Sequence, residues 1–337
     1  MSNLFLPLLY TLAYNNGKRC PVKIAVLDDY QSLAQDFADW RRLEGRATVT
    51  FFAEPIAREA ELIERLQPFD AVCLMRERTP FPQQVIEALP KLKLIVTSGM
   101  KNAAIDVAAA AARGITVSGT PSPGHATAEL AFGLILALAR GLVPQSNALQ
   151  AGRWQQGIGR DLKGATLGVL GLGRLGSQVA GFGKAFGMEV IAWSQNLTEA
   201  HCREAGVGYR DKARFFAEAD FITIHLRLSE RSRGLVGAEE FYLMKPEAFL
   251  VNTSRSPIVE AKALERALVG DMIAGAALDV FDQEPLPPDH WVLSTPKLLL
   301  TPHIGYVTRE TYAVFYGETL AAVEAWLDGA PIRRIAP

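Results

Sequence analysis

The sequence predicts an α/β protein built from two doubly wound parallel-sheet domains, and three observations predict it. Strand-like apolar runs alternate with helix-like runs from Val22 to Val117. A second alternating series begins at Thr166. That series opens with a strand, the turn Gly171-Leu172-Gly173-Arg174-Leu175-Gly176 and a helix, the order that a dinucleotide-binding fingerprint requires.

In the first series the strand Val22–Leu27 leads to a helix over Ser32–Leu43 and a strand at Thr48–Phe52. Leu62, Ile63 and Leu66 give helical spacing to Arg58–Leu66. A strand at Ala71–Met75, a helix at Pro82–Leu89 and a strand at Leu94–Thr97 follow. Asp106 is placed to cap the alanine-rich helix Val107–Arg113, Gly114 to close it, and Ile115-Thr116-Val117 reads as the next strand. The helix His125–Arg140 is expected to cross between the domains. In the second series the helix Ser177–Phe186 follows the glycines, and strands are expected at Thr166–Leu170, Glu189–Trp193, Phe221–Ile224, Phe249–Asn252, Ile273–Leu278 and Lys297–Leu300. The closing helix Thr308–Leu327 is expected to return to the first domain. Short links between such units favour parallel sheets covered by helices.

Composition narrows the function. With 337 residues, a net charge of −1 and 21% charged residues, the chain carries no basic footprint for nucleic acid. Its 3 cysteines, Cys20, Cys73 and Cys202, are too scattered for a disulfide framework or a metal site, which points to a reducing cytoplasm. The apolar stretch Leu130–Ala139 is about half of a membrane span and is flanked by Glu129 and Arg140. Met1–Tyr14 is apolar without a basic leader or a small-residue cleavage site, so residues 1–20 read as an N-terminal extension.

Each glycine of the fingerprint has a physical task. Gly171 permits the tight turn, Gly173 lets backbone approach a pyrophosphate, and Gly176 lets helix and strand pack closely. The N–H groups that open the helix then face the phosphates. About 20 residues further on, an acid usually holds the ribose of NAD, or an arginine the 2′-phosphate of NADP. Here the strand Glu189–Trp193 ends in Ser194-Gln195-Asn196, which supplies neither. Ser194 can hydrogen-bond a ribose hydroxyl but does not repel a phosphate. The expected cofactor is therefore NAD, with NADP accommodated and discrimination below about a hundredfold, roughly 2.7 kcal/mol.

Three charged residues stand just past strand ends, where an open α/β sheet gathers ligands. Arg255 ends Asn252-Thr253-Ser254-Arg255, Glu284 follows Asp279-Val280-Phe281-Asp282-Gln283, and His303 ends Thr301-Pro302-His303. Arginine suits bidentate binding of a carboxylate. A histidine beside a carboxylate suits general acid/base work near neutral pH.

With these stretches in place, the chain resembles the D-isomer-specific 2-hydroxyacid dehydrogenases. The matching motifs are Asp161-Leu162-Lys163-Gly164 with the glycine turn, Val251-Asn252-Thr253-Ser254-Arg255, Gly275-Ala276-Ala277-Leu278-Asp279-Val280-Phe281, Glu284-Pro285-Leu286 and Thr301-Pro302-His303-Ile304-Gly305. The resemblance implies a Rossmann coenzyme domain over residues 121–304, inserted in a flavodoxin-like substrate domain over 21–120 and 305–337. It implies that His303 moves the hydroxyl or keto proton, that Glu284 hydrogen-bonds its imidazole and favours the charged form, and that Arg255 grips the α-carboxylate. The substrate would be a D-2-hydroxy acid or its 2-keto acid.

For the cofactor, the resemblance carries over Arg174 and Leu175 at the pyrophosphate and Leu226 on the adenine side. Thr253, Asp279 and His303 fall beside the nicotinamide. Two departures stand out: Arg227 occupies a position where proline is usual, and Ser98-Gly99-Met100-Lys101-Asn102 lacks the usual Asp-Asn pair. Backbone N–H groups at Gly99, Met100 and Lys101 are candidates for binding the substrate carboxylate, and Arg76 for a second anionic or polar group. The segment from Leu142 to Arg160, with Trp154 inside it, is long for a connector. In the family the matching segment reaches a partner subunit, so a homodimer is expected. Glu284 argues against formate-type chemistry. A phosphite-type dehydrogenase and an NAD(H)-sensing interaction protein of corepressor type are the alternatives.

Overall fold

The structure, a computed structural model, describes residues 10–12 and 21–337. The chain forms two compact units, Met1–Pro123 with Thr308–Pro337, and Gly124–Val307.

In the first unit the described strands are β1 (Tyr10–Leu12), β2 (Val22–Val26), β3 (Ala47–Phe51), β4 (Ala71–Leu74), β5 (Leu94–Thr97) and β6 (Thr116–Gly119), in the order β1-β3-β2-β4-β5-β6. From β3 to β6 the pairs are parallel and the order is flavodoxin-like, with its switch point between β2 and β4. Three residues of the expected N-terminal extension are described. Tyr10, Thr11 and Leu12 pair antiparallel with Phe51, Thr50 and Val49, so this tripeptide is an edge strand. The rest of that expectation lies outside the described residues.

Helices α1 (Ala34–Phe37), α2 (Glu59–Leu66), α3 (Gln83–Glu87) and α4 (Val107–Ala112) belong to this unit, and Asp106 caps α4 by accepting from the amide of Ala109. The single helix expected over Ser32–Leu43 is instead α1 followed by a 3-10 turn, Trp40–Leu43. Ala38 is extended, at φ −148° and ψ 142°. The Trp40 indole N–H donates to the carbonyl of Ala34 at 2.8 Å, taking an acceptor that a continuous helix would use for its own backbone. The C-terminal helix Arg309–Leu327 packs on α1, β5 and β6 and buries Tyr312, Phe315, Tyr316, Leu320 and Val323.

Asp28 stands at the carboxyl end of β2 with a left-handed backbone (φ 61°) and is 2% exposed. Its carboxylate accepts from the hydroxyls of Thr79 at 3.0 Å and Tyr30 at 3.3 Å, while Arg78, over the Tyr30 ring, donates to its carbonyl. Burial outweighs these contacts and pushes the carboxyl up to about 6.

In the second unit the strands are β7 (Thr166–Leu170), β8 (Glu189–Trp193), β9 (Gly208–Tyr209), β10 (Phe221–Ile224), β11 (Phe249–Asn252), β12 (Gly275–Leu278) and β13 (Leu298–Leu300). They are all parallel, in the order β13-β12-β11-β10-β7-β8-β9, the Rossmann arrangement with its switch point between β7 and β10. Alternation along each strand feeds two cores. Leu170, Ile222, Ile224, Leu250 and Leu278 enter one, with Phe215, Phe216 and Phe241. Leu167, Val169, Phe221, Val251 and Ala277 enter the other, with Phe132 and Val179. Burial on both faces explains why these strands read as continuous apolar runs.

The helices here are α5 (Ala126–Arg140), α6 (Leu142–Gln150), α7 (Arg174–Ala185), α8 (Glu199–Glu204), α9 (Lys212–Glu218), α10 (Ala238–Leu243) and α11 (Ala261–Val269). The helix expected to cross between domains is α5, which belongs to this unit and packs on α7, β11 and β12. Gly141, at φ 58°, closes α5 and turns the chain by 59° into α6. The first half of the Leu142–Arg160 segment, noted as long for a connector, is therefore helical. No single described helix is long and apolar enough to cross a membrane.

Asp28 gives a stability prediction. In the fold its carboxyl titrates near 6, above the ordinary 3.8, so folding takes up a proton between those values and the ionised form destabilises the native state above pH 6. Asp28→Asn keeps an acceptor for Thr79 and tolerates the positive φ. It should raise stability at pH 7.5 by about 1–3 kcal/mol, and the gain should vanish near pH 4. Thermal melts at both pH values check this; an equal gain at both would overturn it.

Candidate active site

His303 and Glu284 meet directly. The His303 Nδ1–H donates to Glu284 Oε2 at 2.6 Å, and Glu284 Oε1 accepts from the amide of Phe281 at 2.8 Å. Both side chains are partly exposed, the Tyr306 ring lies edge-on to the imidazole at 5.7 Å, and His303 holds a left-handed φ of 52°. That backbone is fixed from below by Asp279, fully buried at the carboxyl end of β12. Its Oδ1 accepts from Thr301 Oγ1 at 2.7 Å and from the Ile304 amide at 2.8 Å, and its Oδ2 from the Gly305 amide at 2.9 Å. Burial pushes the Asp279 carboxyl above the usual range, and these donors together with the charge of His303 oppose the rise. A Cβ on Gly305 would lie 3.0 Å from Asp279 Oδ2, so the position has little room for a side chain.

Arg255 ends the loop after β11, the strand beside β12. Asn252, fully buried, was not among the candidate residues, although it stands in their motif. Its Nδ2 donates to the Arg255 carbonyl and its Oδ1 accepts from the Ser254 amide, both at 3.0 Å. Arg255 Nη1 donates to the carbonyl of Ser254 at 2.7 Å, and Ser254 Oγ to that of Leu226. The loops after β10 and β11 are thereby tied together.

The glycine turn follows β7. Gly171, at φ 99°, lies under Leu226, whose Cδ2 would be 2.8 Å from a Cβ placed there. On Gly176 a Cβ would lie 2.0 Å from the Gly171 carbonyl oxygen, whereas on Gly173 it would meet nothing within 4 Å. Gly173 is the N-cap of α7 and gives that helix no side-chain cap, so the opening amides stand over an open cradle beside Arg174 and Leu175. Thr253 Oγ1 is buried without a hydrogen-bond partner. An open backbone cradle and an orphaned hydroxyl are what a bound dinucleotide would complete, and these residues fit NAD. Ser194 ends β8 half-buried, its carbonyl accepting from the Leu197 amide.

In the first unit the structure brings Arg76 and Gly99 together. Arg76 Nη1 donates to the Ser98 carbonyl at 3.1 Å and would lie 2.1 Å from a Cβ on Gly99. The carboxylate-binding amide expected at Gly99 is corrected: it donates to Thr120 Oγ1 at 2.8 Å, which leaves the amides of Met100 and Lys101. Gly99, at φ 87°, instead provides the space that the Arg76 guanidinium occupies.

A family model described as the NAD-binding domain of D-isomer-specific 2-hydroxyacid dehydrogenases matches residues 132–305. Over 258 residues the chain is 38% identical to the glyoxylate reductase of Korarchaeum cryptofilum, covering 74% of this chain and 77% of that one. It is 36% identical over 278 residues to the D-3-phosphoglycerate dehydrogenase of Synechocystis, covering 82% of this chain and 50% of that one. The crystal structure of a phosphoglycerate oxidoreductase from Vibrio cholerae matches with a TM-score of 0.87 at 40% identity, over 92% of this chain and 100% of that one.

The glycines give contrasting expectations. Gly173→Ala fits the fold, at φ −86°, and should leave the melting temperature within a degree or two while weakening NAD binding at least about tenfold, because the methyl enters the cradle. Gly176→Ala collides with backbone and should cost several kcal/mol of stability, on the order of other overpacked sites. Calorimetric titration and thermal melts of both variants separate the two effects.

Proposed function

The chain belongs to the D-isomer-specific 2-hydroxyacid dehydrogenase family, and on that premise we propose that it interconverts a D-2-hydroxy acid and its 2-keto acid with His303 as acid/base. The observation that carries this reading is the 2.6 Å contact between His303 Nδ1 and Glu284 Oε2. It engages one ring nitrogen and leaves Nε2 to give a proton to the keto oxygen in reduction, or to take one from the hydroxyl in oxidation. Glu284 orients the ring through that bond.

Arg255 binds the α-carboxylate and polarises the carbonyl, on a loop that Asn252 holds from both sides. NAD supplies or accepts the hydride. Gly171, Gly173, Gly176, Arg174 and Leu175 hold its pyrophosphate, Ser194 its ribose, Leu226 its adenine side, and Thr253, Asp279 and His303 its nicotinamide end. The amides of Met100 and Lys101 are the remaining substrate contacts, and Arg76, held over Gly99 and paired with Glu77 at 3.6 Å, is the group for a second polar substituent. The buried free thiols of Cys73 and Cys202 support a reducing cytoplasm.

Oxidation of NADH on glyoxylate, hydroxypyruvate, pyruvate and phosphohydroxypyruvate tests the activity; no turnover with any of them would count against it. Glu284→Gln should lower kcat for reduction at least about tenfold while leaving KM within about twofold, because the ring loses the charged acceptor that orients it. An unchanged kcat would separate Glu284 from the acid/base step.

We also assign the segment after α5 to a dimer contact. Leu142, Val143 and Leu149 of α6 are exposed, as are Trp154 (73%) and Ile158 in the loop beyond. A second copy covering this apolar row would remove it from water. Sedimentation at micromolar concentration should show a dimer, and Trp154→Glu should shift it towards monomer; a monomeric wild-type chain removes the assignment.

A further inference from the structure

Arg231 lies 35 positions beyond Asn196 in sequence, yet the structure staples the two segments together. Arg231 Nη2 donates to Asn196 Oδ1 at 3.1 Å, and Gln195 Nε2 donates to the Arg231 carbonyl at 2.7 Å. Both partners belong to the Ser194-Gln195-Asn196 turn at the carboxyl end of β8, the point where this class of fold reads the 2′ position of the adenosine ribose. The turn itself holds no charge.

Its contact with Gln195 and Asn196 sets this arginine apart, and several neighbouring charges are already paired. Arg210 and Arg214 are paired with Glu218, Lys212 with Glu240, and Glu199 with Arg203. Among the described residues Arg231 has a neutral hydrogen-bond partner and no carboxylate partner. Its guanidinium is exposed, always charged, and shaped to give two parallel N–H bonds to a phosphate. Asn196 occupies one of its nitrogens and so fixes where the fork stands.

We propose that Arg231 forms a 2′-phosphate subsite, so that this chain binds NADP(H) at least as well as NAD(H). The inference rests on the dinucleotide reading of the glycine turn and adds the group that reads the ribose. No acid has to be displaced for the phosphate to enter, and Ser194 adds a hydroxyl that can hydrogen-bond either a ribose 2′-OH or a phosphate oxygen.

NAD⁺ and NADP⁺ differ by the 2′-phosphate alone, so calorimetric titration of the full chain with each isolates this subsite without turnover. NADP⁺ should bind at least as tightly as NAD⁺. Arg231→Ala, a surface truncation checked by its melting curve, should weaken NADP⁺ at least about tenfold and NAD⁺ less than about twofold. Raising salt should weaken NADP⁺ selectively in the wild type and lose that selectivity in the variant. A wild type that binds NAD⁺ more tightly than NADP⁺, or a variant that weakens both ligands alike, overturns the subsite and leaves the dinucleotide reading standing. Failure of both ligands to bind overturns the two together.

Discussion

A buried carboxylate organises the proposed catalytic centre. Asp279 has no exposure to water and spends both oxygens on one short segment, Thr301 to Gly305. Burying such a group is costly without donors, and three of them are arranged around it. Two are backbone amides on the far side of His303, the third a hydroxyl on the near side, so the loop has little freedom to move the imidazole. Strand β12 lies between β11 and the edge strand β13, so the position of the carboxylate is in turn set by ladder pairing on both sides. The reach from sheet to imidazole is thus a short chain of strong contacts.

The same economy appears at the other strand ends. Asn252 satisfies the backbone of Ser254 and Arg255 in the loop it starts, and Asp28 accepts the hydroxyls of Tyr30 in its own loop and of Thr79 in the loop after β4. Parallel sheets gather such ends on one edge, which is why residues from distant parts of the sequence come together there. The glycine turn works by the opposite device. At Gly171 and Gly176 side chains are excluded because backbone and Leu226 fill the space, while at Gly173 the space stays open.

Much of this was legible in the chain. Strands buried on both faces give continuous apolar runs, and the runs at Thr166, Glu189, Phe221 and Phe249 match the observed strands to the residue. The contact between Glu284 and His303 could be anticipated from their motifs, because each follows a strand end of one sheet. What was hidden depended on three dimensions. The break between α1 and Trp40 turns on an indole bonding a carbonyl six residues back. The use of the Gly99 amide by Thr120 requires β5 and β6 to be neighbours. Arg231 meets the end of β8 only because two loops separated in sequence close on one another, and no periodicity announces that. Helix α6 has weak amphipathic character and opens after a glycine, so no periodicity announced it.

The interrupted first unit has a consequence for synthesis on the ribosome. Its sheet is made first, but the helix that covers part of that sheet, Arg309–Leu327, emerges after the whole second unit. Tyr312, Phe315, Tyr316, Leu320 and Val323 are buried against it in the finished protein. Until they arrive, the apolar surface they cover is open to solvent and to other nascent chains, whereas Gly124–Val307 is continuous and can close its own core as it leaves the tunnel. The part of the molecule translated earliest is therefore the last to mature, and its exposure lasts as long as nearly two hundred further codons take to read.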